Sequence, residues 1–315
     1  MAENSTPTFR LVWATDIHLN FLRHSEGARY FGEYLHGETQ GEAFLVTGDI
    51  SEAPVLEHHL RELQRGLTRP LYFVLGNHDY YKGSFTKSQQ VASAFASWLD
   101  HGEVHKLTEG VALVGSEGWY DAMYGDPMVA RFGMTDWRDI EDLAELPGSP
   151  FGVRTLHRVE GKTVREVVLD RAARQRVIDV CRERSRDFAN RARERLTDAL
   201  GSFKRVIFAT HVSPFEGATW HEGKISDKTW IPWFSSKFMG DVLLEVADAH
   251  PNQKIITLCG HTHSSGLYSP RENLHVLTGE AVYGSPDVAG IFDIPEDGPI
   301  KIDVKLNKKW TSLSF

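Results

Sequence analysis

The stretch Leu71-Tyr72-Phe73-Val74-Leu75-Gly76-Asn77-His78-Asp79 joins a short apolar run directly to a polar cluster. An uninterrupted apolar run of this length is typical of a strand that is covered on both faces, because half-exposed strands alternate apolar and polar residues. In α/β proteins the functional crevice lies beyond the carboxyl ends of such strands. The stretch therefore predicts a buried strand that delivers an amide, an imidazole and a carboxylate to one crevice.

Other apolar runs of strand length lie before and after this stretch. They occupy residues 11–14, 43–46, 111–114, 206–209 and 255–259. Helix-like stretches fall at roughly 25–39, 54–66, 84–100 and 236–250, and this β-α-β rhythm predicts a layered α/β fold. Short turn-rich segments at 274–278, 290–294 and 300–306 predict antiparallel strands that close a second sheet.

Polar residues follow four of the other runs at the corresponding point. They are Asp16-Ile17-His18, Gly48-Asp49, His211 and Gly260-His261-Thr262-His263. Because strand ends share one crevice, we expect five loops to bring these residues together. A glycine directly precedes the site residue in three of the loops, where a missing Cβ permits a sharp turn and a close backbone approach. Those glycines are Gly48, Gly76 and Gly260.

Such a cluster of carboxylates, one amide and several imidazoles needs a positive partner. Without one, the buried groups would lose their hydration and repel one another. A ligand set without thiolate that mixes oxygen and nitrogen suits Mn, Fe or Zn, and its size predicts two divalent metal ions rather than one. Two such ions lie about 3.5–4 Å apart, which matches the separation of two oxygens of a phosphate ester.

In order along the chain, D-x-H, G-D, G-N-H-D, a single H and G-H-x-H resemble the calcineurin-like metallophosphoesterases. The resemblance spans residues 16–263. It implies a four-layer αββα sandwich with two mixed β-sheets, in which the metal site lies on loops at the C-terminal ends of strands. It also implies metal ligation by seven residues: Asp16, His18 and His263 at a first ion, Asn77, His211 and His261 at a second, and Asp49 bridging both. By the same resemblance, His78 is a catalytic residue near the leaving-group oxygen, and Asp79 orients it.

The reaction implied is the in-line attack of a metal-bridging hydroxide on a phosphomonoester or phosphodiester, with nucleotide-like esters as candidates. Nothing in the chain resembles a P-loop or a G-x-S-x-G elbow. Two alternatives stay open. One is a Mn-dependent nuclease, which the arginine-rich helical segment at 171–200 and the aromatic loops favour. The other is a non-catalytic scaffold or binding module on the same fold, which the presence of His78 disfavours.

Four residues outside the motifs are candidate substrate contacts. Trp119 and Asp121 follow the run at 111–114, Arg138 lies in the irregular section beyond them, and His221 follows His211 on what should be an active-site loop. An aromatic side chain there could stack on a base or sugar, and an arginine could clamp a second phosphate. Packing of these loops onto the core is the competing interpretation for Trp119 and Arg138.

Bulk properties bound the remaining expectations. The 315 residues are 41% hydrophobic and 25% charged with a formal charge of -8, which predicts a globular protein without a net attraction to nucleic acid but does not identify the substrate. The expected partner is a small phosphate ester, and nucleic acid is a less favoured alternative. We expect one domain over 1–315, with an irregular excursion and a helical segment at about 115–203, the excursion reaching over the catalytic face. The polar start and the absence of long apolar runs predict a cytoplasmic protein without a membrane span. The oligomeric state stays open.

Overall fold

The computed structural model describes residues 8–315 except 25, 102, 129–132, 152, 160–161 and 169, and at 153–159 and 162–168 it describes the backbone alone. The strands are β1 Thr8–Ala14, β2 Ala43–Thr47, β3 Leu71–Val74, β4 His105–Thr108, β5 Val111–Gly115, β6 Val153–Val159, β7 Lys162–Val168, β8 Arg205–Ala209, β9 Trp220–His221, β10 Lys224–Ile225, β11 Lys254–Cys259, β12 Gly266–Arg271, β13 Leu274–Thr278, β14 Gly290–Pro295, β15 Lys301–Leu306 and β16 Lys309–Ser314. The helices are α1 Gly27–Thr39, α2 Leu56–Leu67, α3 Phe85–Ser93, α4 Asp136–Asp139, α5 Glu141–Ala144, α6 Arg171–Ser202, α7 Ile231–Phe234 and α8 Lys237–Ala249.

Two six-stranded mixed sheets form the centre of the fold. The first has the order β16-β15-β14-β1-β2-β3, and the second has the order β12-β13-β11-β8-β5-β4. All six apolar runs are strands, divided three and three between the sheets, and within each sheet these three run parallel. The two small sheets are the hairpins β6-β7 and β9-β10.

The C-terminal strands differ from the sequence prediction. We expected all three turn-rich segments to close a second sheet as antiparallel strands. Instead β13 runs parallel to β11 in the second sheet, whereas β14 and β15 extend the first sheet, with β14 antiparallel to β1 and β15 antiparallel to β14. The prediction was wrong because short apolar segments specify a strand but not the neighbour with which it pairs.

Alternating side chains in the parallel strands face two different layers. In β1, Leu11 and Trp13 belong to the apolar cluster between the sheets, while Val12 and Ala14 pack in the cluster beneath the helices. The first sheet is covered on its outer side by α1 and α2, and the second by α6 and α8. This arrangement is the expected four-layer αββα sandwich, and it explains the continuously apolar strands.

Helix α6 fulfils the helical prediction for 172–200 as one continuous helix, which Asp170 caps by accepting a hydrogen bond from Ala173 N at 2.9 Å. Most of its arginines bind groups of the protein itself. Arg174, Arg176 and Arg182 donate to main-chain carbonyls of Pro127, Pro147 and Asp121, Arg191 and Arg193 pair with Asp100 and Glu245, and Arg195 donates to Leu99. The helix therefore ties the excursion to the sandwich and does not present a free basic stripe.

The described part of the excursion packs beside the loop that follows β3. Tyr81 donates to Asp136 Oδ2 at 3.1 Å, and Lys82 N donates to Asp139 O at 2.6 Å. Its end forms the β6-β7 hairpin, which the sequence did not predict. None of the helices in the described ranges combines the length and apolar character needed to cross a bilayer.

Candidate metal centre

The ends of the parallel strands of both sheets meet at one edge of the sandwich. Asp16 N donates to Gly48 O at 3.1 Å, which joins the loops after β1 and β2. Across the seam between the sheets, His261 N donates to Asp16 Oδ1 at 3.0 Å. The seven residues that the resemblance implies as ligands therefore lie in adjoining loops, four from the first sheet and three from the second.

The backbone at this edge is left-handed at most of the expected ligands. Asp16, His18, Asp49, His261 and His263 have φ values of 47°, 40°, 51°, 70° and 56°. Non-glycine residues adopt such angles rarely, and a cluster of them is typical of functional sites, where surrounding structure stabilises the strain. The strain here turns side chains of successive loops towards one point.

Three glycines permit this close approach. A Cβ on Gly76 would lie 2.2 Å from Asp49 Oδ1, and one on Gly260 would lie 2.1 Å from Asp16 Oδ2. Gly48 has φ +85°, and a Cβ there would lie 2.5 Å from His211 Nδ1. The role expected for these glycines is confirmed by the geometry, because any side chain would occupy the space of an expected ligand.

One group of ligand atoms converges between the sheets. Atoms of Asp16, His18, Asp49 and His263 all lie within 4.8 Å of one another. The two Nε2 atoms of His18 and His263 are 3.2 Å apart, and His263 Nε2 is 3.3 Å from Asp16 Oδ1. This group contains the three residues expected at the first metal together with the expected bridge.

A second group converges on the amide oxygen of Asn77. His211 Nε2 lies 3.1 Å and His261 Nδ1 lies 2.9 Å from Asn77 Oδ1. The other nitrogens of these rings face main-chain carbonyls, His211 Nδ1 that of Thr47 at 2.9 Å and His261 Nε2 that of Trp233 at 3.0 Å. Each ring donates its proton to that carbonyl when neutral, so three lone pairs meet at Asn77 Oδ1.

Asp49 lies between the two groups. Its Oδ1 is 3.4 Å from His211 Nε2 in the second group, and its Oδ2 is 3.7 Å from His18 Nε2 in the first. Burial raises the pKa of Asp49, and the neighbouring carboxylate of Asp16 raises it further. Burial also lowers the pKa values of His18 and His261 to about 3, which keeps both rings neutral near pH 7.

These features fit divalent cations. Neutral imidazoles, carboxylates and one amide oxygen point their lone pairs at one another. These buried groups repel one another unless a positive ion lies between them. The mixture of nitrogen and oxygen donors is typical of Mn, Fe and Zn sites. The residues present therefore suit the metal centre that the sequence predicted.

His78 lies at the open edge of the cluster. Its backbone N–H donates to Asp49 Oδ1 at 2.8 Å, and its Nε2 lies 3.9 Å from Asp49 Oδ2. One face of the ring stacks on Tyr81 with centroids 4.2 Å apart, and the ring meets His18 edge-on at 4.7 Å. The side chain is 18% exposed, so a ligand can reach it.

Asp79 has different partners from those implied by the resemblance. Its carboxylate accepts hydrogen bonds from Ser51 N at 2.7 Å and Gly76 N at 2.8 Å. Burial raises its pKa to about 7, although the N–H of Gly76 counteracts the shift. Asp79 therefore joins the loops after β2 and β3 through hydrogen bonds to the backbone near His78. The ring of His78 packs on Tyr81 and not on Asp79.

Glu117 supports the cluster from behind and was missed by sequence reasoning. Its main-chain oxygen accepts from His211 N at 2.7 Å, and its buried carboxylate accepts from Trp98 Nε1 at 2.9 Å and from the Tyr80 hydroxyl. One residue thus links a ligand of the second sheet to the loop of His78. Its place directly after β5, at the same edge as the motifs, was the available signal.

Two of the candidate substrate contacts lie in the core. Trp119 is 1% exposed and packs against Phe85 with centroids 5.3 Å apart. Asp121 is 0% exposed, and its carboxylate accepts from Phe238 N at 2.9 Å at the start of α8. The expectation that these residues contact substrate was wrong, because a chain leaving a buried strand turned into the core before it reached the surface.

The other two candidates are accessible. His221 is half-buried, with its Nδ1 3.3 Å from Thr262 O and its ring 5.2 Å from that of Phe234, which in turn contacts His261. The guanidinium of Arg138 is 69% exposed and pairs with Asp139 at 2.7 Å. His221 therefore lies at the rim of the cluster, while the interaction that holds Arg138 is an ion pair on the surface.

Two exposed aromatic residues beside the cluster were not predicted. The ring of Tyr283 lies 4.4 Å from that of His18 and 4.9 Å from that of Phe21. Neither residue belongs to a motif. An aromatic residue in the turn-like segment Tyr283-Gly284-Ser285-Pro286, and another three residues after His18, were the signals that could have identified them.

The layered sandwich and the aspartate–histidine cluster at its edge define a metal-binding α/β protein. The sequence profile of the calcineurin-like phosphoesterase family matches residues 9–265, and the chain belongs to that family. It is accordingly a metal-dependent phosphoester hydrolase. Among curated proteins, no significant match to the sequence was found.

Solved structures share the fold at low sequence identity. A dimetal phosphatase from Danio rerio is 16% identical with a TM-score of 0.57, over 98% of this chain and 99% of that one. A phosphopantetheinyl hydrolase from Mycobacterium tuberculosis is 12% identical with a TM-score of 0.54, over 89% and 90% of the two chains. These similarities extend the resemblance in fold beyond the motifs to almost the whole chain.

Proposed function

We propose that the chain hydrolyses a small phosphate ester, either a monoester or a diester, with two bound divalent cations. Asp16, His18 and His263 would hold one ion, and the second would be held by Asn77, His211 and His261. Asp49 would contact both. Mn, Fe and Zn are the candidate metals, because the donors are nitrogen and oxygen without thiolate.

One observation carries this proposal. Two separate groups of lone pairs converge at the edge of the sandwich, and the two oxygens of Asp49 face one group each, at 3.4 Å from His211 Nε2 and 3.7 Å from His18 Nε2. A single ion would satisfy one group and leave the other buried and unpaired, which is costly. The arrangement therefore favours two ions over one.

When bound, such ions neutralise charge on phosphate oxygens and lower the pKa of a water that attacks phosphorus in line with the leaving group. The side chains of the protein supply the remaining functions. His78 is exposed next to the cluster, and its backbone is fixed by Asp49 Oδ1, so it is placed to give a proton to the departing alcohol. No nucleophilic side chain is required, and hydrolysis proceeds without a covalent phosphoenzyme.

A small ester is favoured over nucleic acid. The basic segment at 171–200 was one of two features that favoured the nuclease alternative, and most arginines there bind main-chain carbonyls or carboxylates of the protein itself. The protein also carries a formal charge of -8, which repels a polyanion. The two structural relatives reported above are named as a phosphatase and a hydrolase of a phosphopantetheinyl group, which is in keeping with a small ester.

The test combines metal analysis with a substrate panel. We expect purified protein loaded with Mn to bind close to two ions per chain and to hydrolyse at least one member of a panel of phosphomonoesters, phosphodiesters and nucleotides. Labelled single-stranded and duplex DNA should stay intact. Activity on the DNA alone would favour the nuclease, and a single ion per chain would contradict the two-metal proposal.

The scaffold alternative is tested by the same panel. If metal-loaded wild type and the variant His78→Ala were equally inactive on every ester, the hydrolase proposal would lose its support. Asp293→Asn provides a matched control, because Asp293 is an aspartate of the first sheet whose carboxylate pairs with Arg10 at 2.7 Å outside the metal cluster. This control should retain both the metal and the activity of wild type.

A further inference from the structure

Exposure to solvent among the expected site residues is greatest at two imidazoles. The side chains of Asp16, His18, Asp49 and His211 are at most 2% exposed, whereas those of His78 and His263 are 18% and 21% exposed. A substrate must therefore reach the cluster across the face that His78 and His263 share.

Two aromatic side chains border this open face. Phe21 and Tyr283 are each 49% exposed. The ring of Tyr283 lies 4.8 Å from that of His263 and 6.1 Å from that of His78. Tyr283 and Phe21 are here called the aromatic wall: Tyr283 stands beside the imidazoles of His78 and His263, and Phe21 packs against Tyr283 with ring centroids 4.9 Å apart.

The wall is fixed to the loops that carry the expected ligands. Phe21 N donates to His18 O at 3.0 Å, and Ala281 N donates to His263 O at 3.5 Å. Tyr283 occupies a tight turn in which Ser285 N donates to Val282 O at 3.0 Å, with Gly284 at φ +72°. A glycine at this position permits the positive φ without strain, so the turn presents Tyr283 in a defined place.

The position of His78 indicates where the alcohol part of the substrate lies relative to the aromatic wall. A group that gives a proton to the leaving oxygen must contact it, so the alcohol lies next to His78. Tyr81 covers one face of the His78 ring at 4.2 Å, which leaves the side towards Tyr283 for the alcohol. The alcohol therefore extends along the aromatic wall.

The neighbouring cavity does not favour a second anionic group instead. It has a volume of about 740 Å³ and adjoins Asp16 and His263. Its lining carries two positive side chains, Lys305 and Lys308, against four carboxylates, which disfavours a further anion; the carboxylates belong to Asp16, Glu222, Glu280 and Asp287. The cavity offers room for a bulky alcohol rather than a site for another phosphate.

We propose that the aromatic wall binds a planar aromatic ring in the alcohol part of the ester. The substrate class is then a phosphate ester whose alcohol carries a nucleobase or an aryl ring, stacked on Tyr283 and Phe21. This inference rests on the proposed hydrolase function. The inference goes beyond that function because it names which phosphate esters are preferred, whereas the metal cluster alone would not distinguish them.

Two matched pairs of esters test the ring while keeping the reacting centre constant. Adenosine 5′-monophosphate and ribose 5-phosphate share the same primary alcohol and differ by the base. Benzyl phosphate and cyclohexylmethyl phosphate are of similar size and differ in aromaticity. For the Mn-loaded full chain we expect the aromatic member of at least one pair to have a higher kcat/KM by about 5- to 150-fold, the effect of stacking one base on an aromatic side chain. The pair that shows the effect distinguishes a nucleobase from a general aryl group.

Variants assign the preference to the wall. Tyr283→Leu should reduce the ratio of kcat/KM within the responsive pair at least about 5-fold, and Tyr283→Phe, which keeps the ring, should preserve that ratio. Tyr34→Leu is the matched control, because Tyr34 is also 49% exposed but lies on the outer helix α1. Ratios near one in wild type for both pairs, or an unchanged ratio in Tyr283→Leu, would overturn the inference.

A binding measurement separates this inference from the proposed function. Calorimetric titration of Mn-loaded His78→Ala protein with adenosine 5′-monophosphate and ribose 5-phosphate, and with the benzyl and cyclohexylmethyl esters, reports ring preference without turnover. Tighter binding of the aromatic ligand, lost in a protein that also carries Tyr283→Leu, supports the wall even if wild type hydrolyses no ester in the panel. Turnover of both members of each pair with equal binding would support the hydrolase and overturn the wall.

Discussion

The metal cluster and the aromatic wall are neighbours, yet they are built in opposite ways. Asp16, His18 and Asp49 are fully buried and have left-handed backbones, and glycines of two strand ends leave room for the two carboxylates. Phe21 and Tyr283 are half exposed and contact the cluster only along its open side. The proposed catalytic residues therefore lie at strand ends, where both sheets constrain their positions. The residues proposed to select the substrate lie on the surface, where a side chain can be replaced without disturbing the fold.

Asp49→Asn is expected to have the largest effect, because it removes the one carboxylate shared by both groups of ligands. Loss of a partner outside the ligand shell already lowers metal affinity about 10- to 100-fold, so loss of a shared ligand should lower kcat/KM at least about 10³-fold. Metal analysis after gel filtration should find fewer than two ions per chain. A variant that kept two ions and normal turnover would contradict the position given to Asp49.

His78→Ala should lower kcat by about 10²- to 10⁴-fold while the metal content stays that of wild type, because the proposed mechanism places His78 at the leaving group and not among the metal ligands. The loss should be greater for an alkyl ester than for a p-nitrophenyl ester, whose leaving group needs no proton. An equal loss for both esters would show that His78 stabilises the phosphate instead. A fall in metal content would make it a ligand.

Glu117→Gln tests the support behind the cluster through the pH dependence of stability. Burial, followed by the nearby Asp100, raises the pKa of Glu117 to about 8, compared with about 4.3 in an unfolded chain. The contribution of the protonated acid to stability is complete below about pH 4 and is lost as the pH rises through about 8.

The glutamine variant stays neutral over this range. The unfolding midpoint of metal-loaded wild type should therefore fall relative to that of Glu117→Gln between about pH 5.5 and pH 8.5, by about 2 °C for each kcal/mol. Glu109→Gln is the matched control, since Glu109 is 77% exposed and pairs only with Lys106. A constant difference between wild type and Glu117→Gln would mean that Glu117 is ionised in the folded protein.

Arg138→Ala should have the smallest effect. The guanidinium is 69% exposed and is held by a surface ion pair with Asp139, an interaction of about 0–1 kcal/mol. We expect kcat/KM to stay within about twofold of wild type for every ester in the panel. A larger loss that is confined to one ester would restore Arg138 as a substrate contact and would extend the region of substrate choice beyond the aromatic wall.

The sequence predicted the strands and the cluster for one physical reason. Short continuous apolar runs such as 43–46 and 255–259 are typical of strands covered on both faces, and the polar residues that follow them lie at the strand ends. Asp49 and His261 were located in this way without knowledge of which strands pair. The division of the runs between two sheets, in contrast, depends on contacts between residues far apart in the chain and was not predicted; the family resemblance implied only that there are two mixed sheets.

Side-chain direction in the loops was the part that sequence could not supply. Trp119 and Tyr283 are both aromatic residues near glycine at the same end of the sandwich, but one packs in the core and the other borders the open face. The same holds for the arginines of α6, whose number suggested a basic surface. Their hydrogen bonds to carbonyls such as those of Leu99 and Asp121 depend on where the excursion packs.

The seam between the sheets also has a consequence for how the protein is made. His18 and His263 are separated by 245 positions, and their Nε2 atoms lie 3.2 Å apart in the folded protein. Contacts between such distant residues form late, because the entropy of closing a long loop must be overcome first. A chain that still lacks residue 263 on the ribosome has no complete set of the proposed ligands. An ion bound by the proposed sites after synthesis would shift the equilibrium towards the docked sheets.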